Sequence, residues 1–249
     1  LLCLMALNPK LIFFTNEWVW KNLIYGYVIR KADYIPVNDG VEAHLDKIRS
    51  LVAQGYSLVI FPEGTRTSDG SIGRFHKGAF YVAAELGLDI TPVFIHGAYD
   101  VLPKTDFMLR EGSVHVEVGT RIPCPQDYRM MTKECHRLFV SHYSELRKTL
   151  ETPEYLSVYV RYKYLYKGAD VESRCRKALA SVADAAFLRE APQGDHFEIH
   201  DCGQGEHALI FALMHPEIQV DAYDRDEDNV LLASNCSCLP DNIHFHLEP

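Results

Sequence analysis

The 249-residue sequence lacks several features that mark well-known classes of protein. It has no uninterrupted run of 18 apolar residues, and its opening stretch LLCLMAL is far too short to span a bilayer. It also shows no internal repeat and no low-complexity tract. Peripheral attachment to a membrane stays open.

Paired cysteine spacing is missing as well. The seven cysteines contain no C-x-x-C pair, and Cys236 with Cys238 alone is a weak signal for a metal. An odd and scattered set of this kind is typical of reduced thiols in a cytosolic protein. No metal site is predicted.

Charge is present but unevenly distributed. The formal net charge is −9, and 47% of the residues are hydrophobic, which is enough for a core of normal size. Residues 1–150 carry 17 basic and 16 acidic side chains, whereas residues 151–249 carry 8 and 18. This asymmetry predicts two domains with different partners. Nucleic acid is not expected as a partner, because the acidic half would repel its phosphates.

Strands and helices are predicted to alternate along the first 150 residues. The apolar patterns predict strands at residues 11–15, 34–37, 56–61, 90–95 and 114–118 and helices at residues 38–55, 79–87 and 127–150. Asn38 or Asp39 can cap the first helix and Gly55 can end it. The alternation predicts an α/β fold, a layered domain with a mostly parallel sheet.

The C-terminal third shows the order strand, glycine turn, helix, strand, acidic turn, helix. This order is typical of the first half of a Rossmann-like doubly wound domain. We therefore predict one domain over residues 1–153, a connector rich in Tyr and basic residues over 154–178, and a partial Rossmann-like domain over 179–249. The connector suits a membrane-interface strip or a surface for stacked bases, but packing between domains is the favoured interpretation.

The most informative stretch is FPEGTRTSDGSIGRFHKGAF, residues 61–80, which follows a predicted buried strand. Pro62 ends the strand because it cannot donate to a sheet ladder. Gly64 permits a sharp turn and the close approach of a ligand. Arg66 offers a planar fork of donors that suits a phosphate.

Three further basic side chains follow in the same loop. Arg74, His76 and Lys77 come directly before a predicted helix, whose first N–H groups would add to an anion site. The simpler interpretation is a solvated loop in which Glu63 pairs with an arginine. A ligand site is favoured, because open α/β sheets bind ligands at the carboxyl ends of their strands.

At this point the residues carry a resemblance to a family. VIFPEGTRTSDGSIGRFHKGAF resembles the signature of the glycerolphosphate and 1-acylglycerol-3-phosphate acyltransferases. PVFI, after Ile90 and Thr91, resembles a later proline-containing strand of that family, and NEWVWKNLIYGYVIRKADYIPV loosely resembles an intervening segment. The resemblance covers residues 1–125.

This resemblance implies acyl transfer from acyl-CoA or acyl-carrier protein to a hydroxyl of a glycerolphosphate-type, lysophosphatidate-like acceptor. It implies no cofactor, and it implies work at the cytoplasmic side of the cell membrane, either peripherally or within a larger membrane protein. Glu63 and Gly64 would shape the catalytic centre, and Arg66 would bind the acceptor phosphate. The other substrate-binding residues that it implies are Pro62, Thr65, Lys77 and Pro92.

Two departures from the family pattern stand out. The strand YIPVND lacks the arginine that usually follows it, so acceptor binding is expected to differ. The family's general base is a His–Asp pair in an H-x4-D motif, and we expect that pair to precede Leu1. His196 and Asp201 match formally, but residues five apart in a strand face opposite sides, so we reject the match.

The glycine turn in the C-terminal third resembles that of the S-adenosylmethionine-dependent methyltransferases. Asp201, Gly203 and Gly205 form a D-x-G-x-G pattern, and Asp224 ends the next strand, where an acidic group would take a ribose. These four residues are predicted to bind S-adenosylmethionine. Methyl transfer as the main activity, and a non-catalytic module that binds lipid or phosphate, remain alternatives to acyl transfer.

Overall fold

The structure is a computed structural model that describes residues 2–8, 10–15, 35–36, 42–104, 109–189, 194–237 and 239–248. The chain divides into two compact units, the first comprising residues 1–107 and 114–143 and the second residues 108–113 and 144–249. Within the described ranges, no helix combines the length and the apolar character that crossing a membrane requires.

Each strand and helix predicted for the first unit has a counterpart among the described residues, mostly with different bounds, and two short helices were not predicted. Its helices are α1 (Leu2–Leu7), α2 (Leu45–Ala53), α3 (Gly78–Leu86), α4 (Ala98–Val101) and, in greater part, α5 (Tyr128–Leu150). Its strands are β1 (Leu11–Thr15), β2 (Ile35–Pro36), β3 (Ser57–Val59), β4 (Val93–His96) and β5 (His115–Val118). The predicted cap at Asn38 or Asp39 lies outside the described residues, as does most of the segment from Asn16 to Val37.

β1 is the central strand of a parallel sheet with the order β2-β1-β3. Both of its faces are buried: Ile12 packs with Ile48 of α2, and Phe13 packs with Leu4 of α1. A strand covered on both faces needs a continuous apolar run, which explains the sequence LIFF. β4 and β5 form a separate antiparallel pair, so the prediction of a mostly parallel sheet is confirmed for β1–β3 and wrong for β4–β5.

The segment between β3 and α3, residues 60–77, is called the signature loop. The parallel direction of β1–β3 determines where this loop begins. Carboxyl ends of parallel strands lie at one edge of a sheet, and the chain leaves β3 at that edge. The loop ends at α3, which buries Phe80 and stops at Gly87, a left-handed residue with φ of 64°. Glycine adopts this conformation without steric cost, so Gly87 ends α3 at the last residue of the helix predicted over 79–87.

The second unit contains three parallel strands and four α-helices among its described residues. The strands, in the order β6-β7-β8, are β6 (His196–Ile199), β7 (Gln219–Asp224) and β8 (Ile243–Leu247). The helices are α6 (Pro153–Lys163), α7 (Ala169–Ala180), α8 (Glu206–Met214) and α9 (Glu227–Ser234), with the end of α5 leading into α6. The chain is therefore a mixed α/β structure with parallel sheets.

The helix α8 is the centre of this unit's core. Leu209, Ile210 and Phe211 are fully buried, because α8 packs against the sheet on one side and against α6 and α7 on the other. The Tyr-rich segment supplies α6, whose first turn is capped by the Thr152 hydroxyl. Tyr164 from the same segment is 1% exposed and belongs to this core. The boundaries predicted at residues 153 and 178 stay a prediction.

The other face of the β6–β8 sheet is polar. Asp221 on the middle strand accepts hydrogen bonds from His196 on β6, at 2.7 Å, and from His246 on β8, at 2.5 Å. These two bonds lower the pKa of the Asp221 carboxyl, the bond from His196 more strongly. His196 is thus paired with Asp221, which agrees with the rejection of a His196–Asp201 catalytic pair.

Candidate functional site

The base of the signature loop is closed by two hydrogen bonds. The His76 backbone N–H donates to the carbonyl oxygen of Pro62 at 2.7 Å, and the Gly73 N–H donates to Glu63 Oε2, also at 2.7 Å. The first half of the motif, around Glu63, is thereby joined to its second half ten residues later. Residues that are far apart in the loop become neighbours at the end of β3.

Two glycines make this closure possible. Gly64 has a φ of 68°, and a Cβ there would lie 3.4 Å from His76 Cδ2. A Cβ at Gly73 would lie 3.1 Å from Glu63 Oε2, the same oxygen that accepts its N–H. Gly73 was missed by the sequence reasoning, because the close approach depends on the path of the loop and no local pattern marks it.

Phe75 anchors the second half of the motif. It is 6% exposed, lies 6.3 Å from the ring of Phe80 on α3 and meets Phe139 of α5 edge to face at 5.2 Å. Its neighbours Arg74 and His76 are exposed on either side. Burial of the Phe75 ring therefore holds the backbone so that the Arg74 and His76 side chains on either side are exposed to solvent.

Arg66 is held by the polypeptide backbone. Its Nη1 donates to the carbonyl oxygens of Leu102 and Pro103, each at 3.2 Å, while the residue remains exposed. A guanidinium has five N–H donors in a fixed plane, so most of the fork is uncommitted among the described residues. This arrangement orients the side chain and leaves donors for an anion.

The start of α3 adds positive character beside the closed loop. The side chains of Arg74, His76 and Lys77 are exposed and have no hydrogen-bond or ion-pair partner among the residues that the structure describes. Lys77 directly precedes the first turn of α3, where N–H groups without partners favour an anion. The charge pattern at this edge of the sheet suits a phosphate.

Two of the predicted substrate-binding residues make weaker contacts. Thr65 is exposed, and within the described part of the chain its hydroxyl makes only a long hydrogen bond of 3.4 Å to the carbonyl oxygen of Arg66. Pro92 is buried just before β4, and its carbonyl oxygen accepts from the Gly119 N–H at 2.9 Å. Thr65 is thus free to reorient toward a ligand, whereas Pro92 belongs to the packed frame.

The glycine turn of the second unit has a left-handed backbone. Asp201, Gly203 and Gly205 all have positive φ, of 50°, 58° and 86°. A Cβ at Gly203 would meet no atom of the described residues within 4 Å, whereas one at Gly205 would lie 2.6 Å from Phe245 Cε1. Gly203 therefore faces open space, and Gly205 is required for packing against β8.

Asp224 is tied to this turn. Its Oδ2 accepts from the Gly203 N–H at 2.7 Å, and its Oδ1 accepts from the Asp226 N–H and from Asn229 Nδ2. Burial raises the pKa of the Asp224 carboxyl, but these bonds together outweigh burial and leave the pKa below its usual value. The carboxylate predicted to bind ribose is already engaged by three donors.

Buried polar groups lie next to the same turn. The Tyr164 hydroxyl donates to the backbone carbonyl of Gln204 at 2.6 Å. The Gln204 side-chain amide and Glu206 Oε1 are buried and find no hydrogen-bond partner among the described residues, and burial raises the pKa of the Glu206 carboxyl. Orphaned polar atoms of this kind mark places where water or a ligand completes the hydrogen bonding.

Removing the Glu63 carboxylate is expected to open the signature loop. In Glu63→Ala the Gly73 N–H loses its acceptor, so limited trypsin digestion should cleave after Arg66 and Arg74 about 10-fold faster. Glu63→Gln keeps an acceptor oxygen in place, so its rate of trypsin cleavage should stay within about 3-fold of the rate for the unsubstituted protein. Glu85→Ala, an exposed carboxylate on α3, is the matched control. Equal cleavage of the Ala and Gln variants would show that the hydrogen bond does not hold the loop.

Known proteins are similar to part of this chain. Residues 1–96 match the family model described as Acyltransferase. A chloroplastic 1-acyl-sn-glycerol-3-phosphate acyltransferase of Brassica napus, BAT2, is 40% identical over 119 residues, and LPAT1 of Arabidopsis thaliana is 30% identical over 119 residues. Both alignments cover 45% of this chain, and they cover 34% and 33% of those proteins.

Two further similarities extend the comparison. A 1-acyl-sn-glycerol-3-phosphate acyltransferase of Cocos nucifera is 28% identical over 158 residues, which is 59% of this chain and 51% of that protein. The crystal structure of the acyltransferase PlsC from Thermotoga maritima superposes with a TM-score of 0.49 and 24% identity, over 55% of this chain and 57% of that one. The chain thus spans between a third and about half of the curated relatives named here.

Proposed function

We propose that this protein transfers a fatty acyl group from acyl-CoA or acyl-carrier protein to a hydroxyl of a glycerolphosphate-type acceptor, such as a lysophosphatidate, in lipid biosynthesis. The observation that carries the proposal is the closed loop, in which Glu63 and Gly64 meet Gly73 and His76. The similarity of residues 1–96 to acyltransferases supports it. The acyltransferase domain proposed here comprises residues 1–153.

Some residues of the loop bind the acceptor, and others shape the catalytic centre. Arg66 binds the acceptor phosphate through the donors not used by Leu102 and Pro103, and Lys77 with the start of α3 adds positive charge. Glu63 and Gly64 shape the catalytic centre at the base of the loop, while Pro62, Thr65 and Pro92 complete the acceptor pocket. The thioester donor is already activated, so the reaction needs no cofactor.

The acceptor and the product are lipids, so the protein is proposed to work against the cytoplasmic side of the cell membrane, peripherally or within a larger membrane protein. Phe61, at the entrance of the loop, is a large apolar residue that is 47% exposed. An exposed aromatic ring beside cationic side chains suits the interface between lipid headgroups and acyl chains. This arrangement supports a membrane-facing loop.

The proposal is tested by measuring thioester consumption by the full-length protein. Palmitoyl-CoA should be consumed only when 1-acyl-glycerol 3-phosphate is present, with stoichiometric formation of the diacylated product. Binding of glycerol 3-phosphate without any consumption would instead identify a non-catalytic module that binds lipid or phosphate. If the protein neither binds glycerol 3-phosphate nor consumes the thioester, the proposal is refuted.

A second candidate function is the binding of S-adenosylmethionine by residues 179–249. These residues are proposed as a partial Rossmann-like domain that follows the connector over 154–178. The observation that favours it is the open space above Gly203, at the end of β6 in a parallel sheet. S-adenosylmethionine would lie against Asp201, Gly203 and Gly205, with its ribose near Asp224. Calorimetry of the full-length protein with S-adenosylmethionine tests this, and no heat of binding at millimolar ligand would exclude the cofactor.

A further inference from the structure

The segment that follows β4 contacts the middle of the signature loop, and nothing in the motif indicates this. The Tyr99 hydroxyl, on α4, donates to the carbonyl oxygen of Ser68 at 2.8 Å. In the opposite direction, Arg66 Nη1 donates to the carbonyl oxygens of Leu102 and Pro103. Arg66 of the loop thus donates to the backbone of the segment, and Tyr99 of the segment donates to the backbone of the loop.

The ring of Tyr99 also fills the space under the loop. A Cβ at Gly70 would lie 3.1 Å from Tyr99 Cδ1 and 3.2 Å from its Cγ, and Gly70 has a φ of 77°. Any other residue at position 70 would be strained and would press against the ring. The turn at Ser68–Gly70 is therefore seated directly on Tyr99.

Two contacts of opposite direction fix an orientation that one contact alone would leave free. The bonds from Arg66 Nη1 would by themselves allow the loop to pivot about them, because the guanidinium ends a long, flexible side chain. The bond from Tyr99 to Ser68, two residues further along, removes that pivot. The Glu63–Gly73 bond holds the base of the same loop, so Arg66 lies between two fixed points.

We propose that Tyr99 is a positioning residue for the acceptor phosphate: it seats the Ser68–Gly70 turn and thereby fixes where the Arg66 guanidinium presents its remaining donors. This inference rests on the proposed acyl transfer to a phosphorylated acceptor. A site whose donors are held before the ligand arrives binds more tightly, because less ordering remains to be done on binding. Tyr99 acts through Arg66 and does not touch the substrate.

The kinetic test separates positioning from a general loss of structure. In Tyr99→Ala the KM for 1-acyl-glycerol 3-phosphate should rise about 10-fold, with kcat and the KM for the acyl donor within about 2-fold. Tyr99→Phe keeps the ring and loses one hydrogen bond, so its rise should be about 3-fold. Tyr56→Phe is the matched control, since its hydroxyl has no partner among the described residues.

A double substitution tests whether Tyr99 acts through Arg66. If it does, adding Tyr99→Ala to Arg66→Ala should change the acceptor KM by less than about 2-fold, because the group being positioned is already gone. If the two substitutions raise the acceptor KM independently, so that their fold-changes multiply in the double variant, the proposal is overturned. A Tyr99→Ala variant that raises the donor and acceptor KM values equally would overturn it too.

The loop itself gives a readout that does not depend on activity. In Tyr99→Ala, amide hydrogen exchange of residues 67–72 and trypsin cleavage after Arg66 should each accelerate about 5-fold or more, with Tyr56→Phe unchanged. Unchanged exchange and cleavage would overturn the positioning role. An absence of acyl transfer in the unsubstituted protein would count against the proposed function instead, and the loop readout would still decide whether Tyr99 holds the turn.

Discussion

Replacing Arg66 by alanine is expected to lower kcat/KM for a glycerolphosphate acceptor by about 10²-fold or more. Hydrogen bonds from a guanidinium to a phosphate are charge-assisted, and two of them are lost together. The loss should be this large because the Arg66 side chain is already oriented by the carbonyl oxygens of Leu102 and Pro103. Steady-state kinetics with the acceptor varied at saturating acyl-CoA measure the effect.

A charge-conserving substitution sharpens this expectation. Arg66→Lys keeps the positive charge but cannot hold two backbone carbonyls and a phosphate with one planar fork, so a loss of about 10-fold is expected. Arg49→Ala is the matched control, an exposed arginine on α2 that pairs only with Asp46 among the described residues. A lysine variant as active as the unsubstituted protein would mean that charge alone suffices and that the fork geometry is unimportant.

Replacing Gly205 by alanine is expected to lower the free energy of unfolding of the second unit by about 3 kcal/mol. The new Cβ would lie 2.6 Å from Phe245 Cε1 and 3.0 Å from Ala233 Cβ, so β8 or α9 must move. The φ of 86° adds strain of about 1 kcal/mol or more for any residue with a Cβ. Both costs fall on the contact between the glycine turn and the sheet.

Gly203→Ala provides the matched control two residues away. It has a comparable positive φ, of 58°, but its Cβ would meet no atom within 4 Å among the residues that the structure describes, so the cost should be about 1 kcal/mol. Hydrogen exchange of the α8 amides in urea reports on this unit specifically. Equal destabilisation by the two substitutions would show that backbone strain, and not packing against Phe245, makes Gly205 necessary.

The sequence predicts the position of the signature loop well, because the signals involved are local. A short apolar strand, a proline that ends it and a glycine-stopped helix locate the loop at the carboxyl end of β3. The bonds from Gly73 to Glu63 and from Tyr99 to Ser68 could not be predicted. They join residues 10 and 31 positions apart, and they depend on the path of a loop without periodicity.

Asp224 shows the same limit in the second unit. An acidic residue at the end of β7 is visible in the sequence, but its partners are not, and the structure pairs it with Gly203, Asp226 and Asn229. The Tyr-rich segment is similar: its composition suits a membrane, nucleic acid or packing, and Tyr164 is buried in the core. Composition alone does not distinguish these environments, because tyrosine has both an apolar ring and a polar end.

The polar face of the β6–β8 sheet could not be anticipated from the doubly wound pattern. In a doubly wound fold helices cover both faces of the sheet, so both faces are apolar. Here one face carries a row of titratable and aromatic side chains, which includes His196, Asp221, Tyr223 and His246. The order of strands and helices along the chain matches the pattern, but the side chains on this face do not.

The most direct test of the account compares two acceptors that differ only in the phosphate. The full-length protein should acylate 1-acyl-glycerol 3-phosphate at least about 10²-fold more efficiently than monoacylglycerol, measured as kcat/KM with one acyl-CoA donor. Arg66→Ala should remove most of this preference by slowing the phosphorylated acceptor alone. An equal loss with both acceptors, or an unsubstituted protein that does not distinguish them, would contradict the assignment of the signature loop as a phosphate site.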